Sequence, residues 1–410
     1  MHRLLLLLAL PLLAAAQKDA VQWPGWLGPN RDAQVSYFEV PDTWPDKLVK
    51  NWELEVGTGY GTPVVVDGAI YQHARQGEQE VLYRVDLATG KAAWRKAWKT
   101  AFKMGSGGDR HGKGPKSNPV VDDGRVFTMS INGTLRAWDA ATGEALWRHV
   151  EAGNDTHPYW GTTTSPIVED GKVIAHVGSC EKGALIAWDA ATGKVVWRND
   201  ADPSCYSSPV VTTLEGVRQL VEWNHEAVVG VDLRSGKVLW RFPFPHRGNA
   251  QNIPTPVVHA GKILAGGEDR GMHCVVPSYR DKKWSVSSAW FNKEAATDHT
   301  TPVINGGRLF GLSQFGRGTF YCLNPISGKV IWQGPARTGA NATFLSVPGY
   351  VLALTPDGTL RVLDATADSY KVVKSYQVAK DQTWAPPTLL PDGLLIKGER
   401  NLFRLSFSNK

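Results

Sequence analysis

The chain has 410 residues, with 45 Lys and Arg against 39 Asp and Glu, and a formal net charge of +6 at pH 7. A length of 410 residues by itself suggests two or three domains, and no nucleic-acid partner is expected because the chain has the export signal described next. The 42 Gly and 25 Pro indicate a chain with many turns, and no window has a helical period. We therefore expect an all-β protein with almost no helix.

Residues 1–16, MHRLLLLLALPLLAAA, have a basic start, an apolar run and an Ala-rich end. This pattern predicts a secretory signal peptide cleaved after Ala16. No Cys lies near that position, so no lipid anchor is expected, and no other apolar stretch is long enough to span a bilayer. We expect a periplasmic or secreted protein with no transmembrane segment, in which residues 17–49 form an N-terminal leader and residues 50–410 one domain.

The phrase AWDAATGEALW at 137–147 returns as AWDAATGKVVW at 187–197, and weaker copies stand at 83–94, 229–240 and 321–332. Self-similarity at a period of roughly 40–50 residues indicates an array of one supersecondary unit. The unit is a strand ending in Asp, a Thr-Gly or Ser-Gly turn, and a strand ending in Trp. The carboxylate can accept backbone N–H groups across the turn, and the indole can pack against the next unit. We expect five such carboxylates to be scaffold: Asp86, Asp139, Asp189, Asp232 and Asp364.

A second marker gives the number of units. Two apolar runs joined by a two-residue turn with Gly in second place predict a β-hairpin. After the eighth marker the chain has room for two more strands only, whereas residues 50–57, with Trp52, form a spare strand at the other end. The prediction is an eight-bladed β-propeller with four-stranded antiparallel blades, closed by the N-terminal strand completing the C-terminal blade. The marker glycines are Gly68, Gly124, Gly171, Gly216, Gly261, Gly307, Gly349 and Gly393.

In a propeller, the loops that lead into the first strand of each blade share one face around the central channel. These loops are rich in aromatic residues and His with polar donors between them, which suits a flat polar ligand or an extended peptide. The alternative is that the aromatic residues plug a narrow channel mouth and the polar groups satisfy turn backbones. The ligand hypothesis assigns Trp160, Trp384 and Tyr206 to stacking, Lys116 and Asn252 to an anion or carbonyl, and His157 and His299 to the same face.

Basic residues cluster between Lys96 and Lys116, in a loop that could meet an anionic ligand or a membrane surface, or could be a solvated insertion. His111, His157 and His299 come from separated loops without ligand spacing, so no metal site is predicted. No catalytic motif is present, and no catalytic residue is assigned. Of the four cysteines, Cys274 and Cys322 are expected as buried thiols, and Cys180 with Cys205 is the one pair considered for a disulfide.

The LDxxTGKxxW unit resembles the pyrroloquinoline-quinone (PQQ) repeat, and WLGPNRDA at 26–33 resembles the N-terminus of secreted PQQ-like propeller proteins of unassigned function. The resemblance covers residues 23–407. It implies the propeller fold but no single activity, because the superfamily includes quinoprotein dehydrogenases as well as the cofactor-free propeller subunit of the outer-membrane β-barrel assembly machinery.

The dehydrogenase pattern is incomplete in this chain. Many such enzymes have two adjacent cysteines over the quinone and a calcium site of Glu, Asn and Asp, whereas this sequence has no Cys-Cys pair and no recognisable cluster of that kind. The leading hypothesis is therefore a monomeric binding or assembly module for a periplasmic protein or peptide, with no cofactor and no enzymatic activity. The alternatives are a dehydrogenase of alcohols or sugars that uses PQQ with calcium, and non-catalytic carbohydrate binding.

Overall fold

The computed structural model describes residues 21–105, 108–151, 157–248 and 251–407, so the predicted signal peptide lies outside the described residues. These residues form eight four-stranded antiparallel sheets, which confirms the predicted all-β, eight-bladed propeller. Helix is limited to two 3-10 turns within them, Asp109–His111 and Phe315–Arg317. Neither turn has the length or the apolar character needed to cross a membrane.

The first four blades follow the chain order of their strands. Blade 1 contains β2 (Val64–Val66), β3 (Ala69–Gln76), β4 (Gln79–Asp86) and β5 (Ala92–Lys99). Blade 2 contains β6 (Val120–Asp122), β7 (Arg125–Met129), β8 (Leu135–Asp139) and β9 (Ala145–His149). Blade 3 contains β10 (Ile167–Glu169), β11 (Lys172–Gly178), β12 (Gly183–Asp189) and β13 (Val195–Asn199). Blade 4 contains β14 (Val210–Leu214), β15 (Val217–Trp223), β16 (Ala227–Asp232) and β17 (Val238–Pro243).

Blades 5 to 7 continue in chain order, and blade 8 combines strands from both ends of the chain. Blade 5 contains β18 (Val257–His259), β19 (Lys262–Gly267), β20 (Gly271–Arg280) and β21 (Lys283–Asn292). Blade 6 contains β22 (Val303–Asn305), β23 (Arg308–Ser313), β24 (Thr319–Leu323) and β25 (Val330–Gln333). Blade 7 contains β26 (Thr343–Val347), β27 (Tyr350–Leu354), β28 (Thr359–Asp364) and β29 (Val372–Gln377). In blade 8, β30 (Thr388–Leu390), β31 (Gly393–Lys397) and β32 (Asn401–Ser406) are completed by β1 (Val49–Glu55), which pairs with β32 as predicted.

The hairpins between first and second strands have the expected turn geometry in blades 1 to 6. In blade 1, Asp67 and Gly68 have φ of 50° and 73°, so both central residues are left-handed, as a type I′ turn requires. The prediction for Gly393 is wrong, because the blade 8 turn is made by residues 391–392 and Gly393 begins β31. A Cβ at Gly393 would lie 1.9 Å from the carbonyl oxygen of Leu405, so a close neighbouring backbone explains this glycine.

The repeated Asp residues hold the turn between the third and fourth strands of their blades. The Asp86 carboxylate accepts hydrogen bonds from the backbone N and the hydroxyl of Thr89, at 2.8 and 2.6 Å. The same pair of bonds recurs at Asp139 and Asp189. The Thr89 hydroxyl and amide lower the pKa of Asp86. These carboxylates are scaffold, as the sequence analysis expected.

The closing Trp of one blade covers the turn of the next. Trp147 of blade 2 donates its indole N–H to the carbonyl oxygen of Ala190 in blade 3 at 3.1 Å, and a Cβ at Gly193 would lie 2.6 Å from its ring. Trp240 is the exception, since blade 5 has no Asp–Thr-Gly turn for it to cover. Its indole N–H instead donates to Gln219 of its own blade at 2.6 Å.

The leader segment lies inside the ring and hydrogen-bonds to first strands from several sides of the channel. Trp23 is fully buried, and its backbone N donates to the carbonyl oxygen of Val65 in blade 1. Arg31 donates from its guanidinium to the carbonyl oxygens of Ser165 and Pro166 at the entrance to blade 3, at 3.0 and 2.7 Å. Beyond it, the backbone N of residue 35 donates to a carbonyl oxygen of β26 in blade 7. The leader therefore crosses the channel and fills it.

Candidate functional site

The loops that lead into the first strands meet around a cavity of about 380 Å³ at the mouth of the channel, which we call the channel cavity. The leader contributes Trp26 and Leu27 to its wall, and the Trp26 indole N–H donates to the Thr255 hydroxyl at 2.8 Å. Because the leader fills the channel, it forms the end of the cavity that lies inside the ring. The arrangement leaves a pocket at one face of the ring.

Most of the predicted site residues line this cavity: Trp160, Trp384, Tyr206, Lys116 and His299. Asn252 does not, because it is fully buried and its amide N donates to the carbonyl oxygens of Asn224, His225 and Phe244. His157 also lies outside the lining, with its ring 5.0 Å from that of Phe102.

Two pairs of aromatic rings stand in the cavity wall. The Tyr60 and Trp384 rings are stacked with centroids 5.4 Å apart and an interplanar angle of 18°. Trp160 lies 5.9 Å from Tyr206, and its backbone N donates to the Tyr206 hydroxyl at 3.2 Å. These faces suit a flat ring that packs against them.

Lys116 brings a partly buried positive charge to the same wall. Its ammonium donates to the carbonyl oxygen of Gly112 at 3.2 Å and lies 5.9 Å from the centre of the Tyr60 ring. Burial lowers the pKa of Lys116 to about 8. No carboxylate of the described residues forms an ion pair with it, so its charge is only partly compensated. Of the cations in the basic loop, Lys116 and Arg110 therefore line the channel cavity, whereas Lys99, Lys103 and Lys113 are exposed.

His111 is held in one tautomer between two neighbours. Arg110 donates from Nε to His111 Nε2 at 3.1 Å, so Nε2 must accept, and the ring proton on Nδ1 can be donated to the Tyr60 hydroxyl, also at 3.1 Å. Burial, and then the nearby Arg110 charge, lower the pKa of His111 to about 4. The imidazole is therefore neutral at pH 7 and adds no charge to the cavity.

Acidic side chains also reach the lining. Asp298 lies 2.8 Å from His299 Nδ1. Burial, followed by the charges of Asp298 and Asp269, raises the pKa of Glu268. The channel cavity can therefore offer a ligand cationic, aromatic and acidic contacts.

The cysteine pair lies beside this cavity. Cys180 and Cys205 are free thiols in hydrogen-bonding contact; that contact lowers the pKa of Cys180, whereas burial raises that of Cys205. Cys274 and Cys322 are fully buried, as expected. They lie in the third strands of blades 5 and 6, opposite the closing Trp residues.

The contributions of the leader and of the β19–β20 hairpin loop of blade 5 to the cavity wall were not predicted from the sequence. Trp26, Glu268 and Asp298 line the cavity but were not singled out. Two Trp residues within the WPGWLG segment are a signal that a leader is buried rather than solvated. Asp298 lies next to His299, in a loop that the sequence placed at the channel face, whereas no local pattern marks Glu268, because only the closure of the ring brings its hairpin to the channel mouth.

Comparison with known proteins confirms the family. The family model described as outer membrane protein assembly factor BamB, a model of PQQ-type repeats, matches residues 77–334 and 280–369. These matches cover more than half of the chain, so the protein belongs to this family of PQQ-like propellers.

Curated relatives match over shorter segments. The 1-butanol dehydrogenase (cytochrome c) of Thauera butanivorans is 32% identical over 160 residues, which cover 37% of this chain and 22% of that enzyme. The quinohemoprotein alcohol dehydrogenase ADH-IIG of Pseudomonas putida is 32% identical over 143 residues, covering 33% of this chain and 18% of that enzyme. The match thus spans about a fifth of the length of these relatives.

Solved structures show the same fold at low sequence identity. BamB from Moraxella catarrhalis superimposes with a TM-score of 0.64 at 14% identity, covering 88% of this chain and 98% of that one. The quinohemoprotein alcohol dehydrogenase ADHIIG from Pseudomonas putida HK5 gives a TM-score of 0.69 at 14% identity, covering 95% of this chain and 81% of that one. The propeller therefore has the same fold as both kinds of protein.

Proposed function

We propose that this protein is an exported binding module that holds a flat, anionic small molecule in the channel cavity. The observation that carries the proposal is Lys116, a partly buried ammonium with no carboxylate partner among the described residues, in a wall that also presents Trp384 and Trp160. The signal peptide predicted at residues 1–16 supports export.

Lys116 and Arg110 favour an anion at this place, against the carboxylates of Glu268 and Asp298 in the same lining. The fold has already withdrawn Lys116 partly from water, so a ligand carboxylate would gain a charge-assisted hydrogen bond while that part of the desolvation cost does not recur. Arg110 adds a second cation to the lining, while the neutral His111 does not. A planar ring attached to the carboxylate would pack against the faces of Trp384 and Trp160.

PQQ, the flat tricarboxylate quinone of the related dehydrogenases, meets this description in part. Lys116 and Arg110 would hold its carboxylates, and the Trp384 and Trp160 rings its plane; when bound, the group supplies two-electron redox chemistry. A calcium ion fits the channel cavity less well than PQQ does. Within the described residues, the one grouping of three His, Cys, Asp or Glu ligands lies outside this cavity, so we derive no redox step.

Quenching of tryptophan fluorescence tests the proposal, with PQQ as the flat anionic probe and a neutral oligosaccharide as the comparison. We expect PQQ to quench saturably, and Trp384→Leu to weaken binding about tenfold because one stacking face is lost. Trp284→Leu is the control, since Trp284 lies on β21 of blade 5 beside Tyr279 and outside the cavity. Binding of the oligosaccharide in place of PQQ would favour carbohydrate binding, and equal loss in both variants would refute the assigned site.

A second candidate function is protein binding, which membership of the BamB-described family supports. Apolar side chains are exposed on the outer strands of three successive blades: Leu146 on β9, Val195 and Val196 on β13, and Val238 on β17. An edge of this kind suits a partner strand or peptide. Cross-linking in cells should give a specific protein adduct that is lost in the double variant Val195→Asp and Val196→Asp, and no such adduct would contradict this function.

A further inference from the structure

Two histidines and a glutamate converge at the top of blade 4, outside the channel cavity. His225 and Glu226 lie in the loop between β15 and β16, and His246 follows β17. The potential ligand atoms of the three side chains all lie within 4.8 Å of one another. The two imidazole rings are stacked with centroids 3.6 Å apart, and His225 Nδ1 lies 3.0 Å from Glu226 Oε1.

The backbone that holds these side chains is fixed from several directions. Asn224 accepts hydrogen bonds at its side-chain oxygen from the backbone N of Glu226 and Ala227, both at 2.9 Å. The backbone N of His246 donates to the carbonyl oxygen of His225 at 3.0 Å, which ties the two loops together. Asn252, which sequence analysis assigned to a ligand, clamps the same loop by donating to the carbonyl oxygen of Asn224 at 2.6 Å. The ligand set is therefore largely ordered before anything binds.

The cluster also contains a buried polar atom without a hydrogen-bond partner among the described residues. This atom is His246 Nδ1. A close pair of imidazoles next to a carboxylate is the donor set of a transition-metal site.

Arg270 is the adverse charge in this neighbourhood. Its guanidinium is engaged elsewhere, donating to the side-chain oxygen of Asn252 at 2.6 Å and to the carbonyl oxygen of Pro245 at 2.7 Å. It also lies 5.4 Å from the Trp223 ring centre and 5.2 Å from that of Phe244. The Glu226 carboxylate, which has no Lys or Arg partner among the described residues, offsets this charge at the cluster.

We propose that His225, Glu226 and His246 bind one divalent transition-metal ion of the zinc class, with a further coordination position open to solvent. Tetrahedral bonds of about 2.0–2.1 Å place ligand atoms about 3.3 Å apart, with the ion in the plane of each imidazole. The side chains therefore need to close by about 1.5 Å at most, and the two stacked rings must turn out of their parallel arrangement. The side chain of Glu226 is 41% exposed, which leaves a path for the ion and for a bound water. Two nitrogen ligands select against calcium and magnesium, which prefer oxygen.

Cobalt(II) absorption tests the site in the mature chain with any affinity tag removed and metals stripped by chelation. We expect saturable visible bands at one cobalt ion per chain, displaced by zinc but not by calcium. His246→Gln and Glu226→Gln should each weaken cobalt binding at least about tenfold. His259→Gln is the control, because His259 ends β18 away from the cluster, and it should bind as the wild type does.

The outcomes separate the site from adventitious binding. Loss of the bands in either ligand variant, with melting temperature unchanged and His259→Gln intact, supports the proposal. Absence of saturable binding by the wild type overturns it. Wild-type affinity in both ligand variants, or equal weakening in the His259 variant, also overturns it. If His246→Gln does not fold, the more exposed Glu226→Gln decides alone.

Discussion

Lys116 shows how the environment of one residue sets its use. A lysine in a basic loop is ordinarily solvated, but here burial lowers its pKa to about 8 from an ordinary value of 10.5. Between these two values the unfolded chain binds more protons than the folded chain, so folding stability rises with pH across that window. The residue therefore costs stability at neutral pH, which points to a role in binding rather than in folding.

This cost gives a prediction for Lys116→Met. Below pH 8 the variant should be more stable than the wild type, because an apolar side chain of similar length replaces a partly buried ammonium. The advantage should shrink as the pH rises from about 8 to about 10.5, because the lysine of the wild type is then neutral in the folded state. Urea unfolding at pH 7, 9 and 10.5 measures the difference between the two proteins. A difference independent of pH would contradict the burial of this charge.

At the residue scale, the sequence predicts which loop carries a side chain. It does not predict the direction in which that side chain points. The sequence placed Lys116 and Trp384 at the channel face because their loops precede the first strands of blades. It placed Asn252 there as well, yet the amide turns away from the cavity to satisfy the carbonyl oxygens of Asn224 and Phe244. The orientation of a loop amide depends on which backbone groups lack partners, and only the folded chain shows that.

At the scale of the element, the contact between a closing Trp and the next turn is the unit of blade packing. Trp197 of blade 3 donates its indole N–H to the carbonyl oxygen of Leu233 in blade 4 at 3.0 Å. The turn residue beneath it, Gly236, has φ of 70°. The repeat predicts this contact directly. It does not predict the contact made by Trp240. Blade 5 lacks the turn that this Trp would cover, and the absence of a motif does not indicate which group takes its place.

Gly236→Ala tests this contact against a matched control. A Cβ at Gly236 would lie 2.4 Å from the Trp197 ring, whereas a Cβ at Gly261, whose φ is 72°, would meet nothing within 4 Å. Both substitutions carry the backbone cost of a left-handed alanine, about 1 kcal/mol. Gly236→Ala should lose roughly 1–3 kcal/mol more of unfolding free energy, since the indole must move. Chemical denaturation of both variants measures this, and equal losses would show that the packing contact adds nothing.

At the scale of the whole molecule, two segments near the N-terminus have different tasks. The strand β1 closes the ring by pairing with β32, and the sequence predicted it from the count of strands. The leader fills the channel, which the sequence did not predict. The repeat pattern begins only at residue 50 and does not indicate which segment of the chain lies inside the ring. Trp23 and Trp26 belong to that second task.

Two truncations separate these tasks. A chain that begins at residue 49 keeps β1 and should remain monomeric, but it should melt at a lower temperature and lose PQQ binding because the wall made by Trp26 and Leu27 is gone. A chain that begins at residue 57 also exposes the edge of β32 and should associate through it. Light scattering after size exclusion reports the mass of each. A monomeric second truncation would contradict the role of β1.

The most direct test of the central claim, an anion-binding channel cavity, is a calorimetric titration of PQQ into the wild type and into Lys116→Met at pH 7, repeated at a second temperature. We predict micromolar or tighter binding by the wild type and a loss of about tenfold or more in the variant, because one charge-assisted hydrogen bond is removed. Citrate, which has three carboxylates but no flat ring, should bind more weakly than PQQ. Absence of binding heat at both temperatures, or equal PQQ affinities of the two proteins, would contradict the claim.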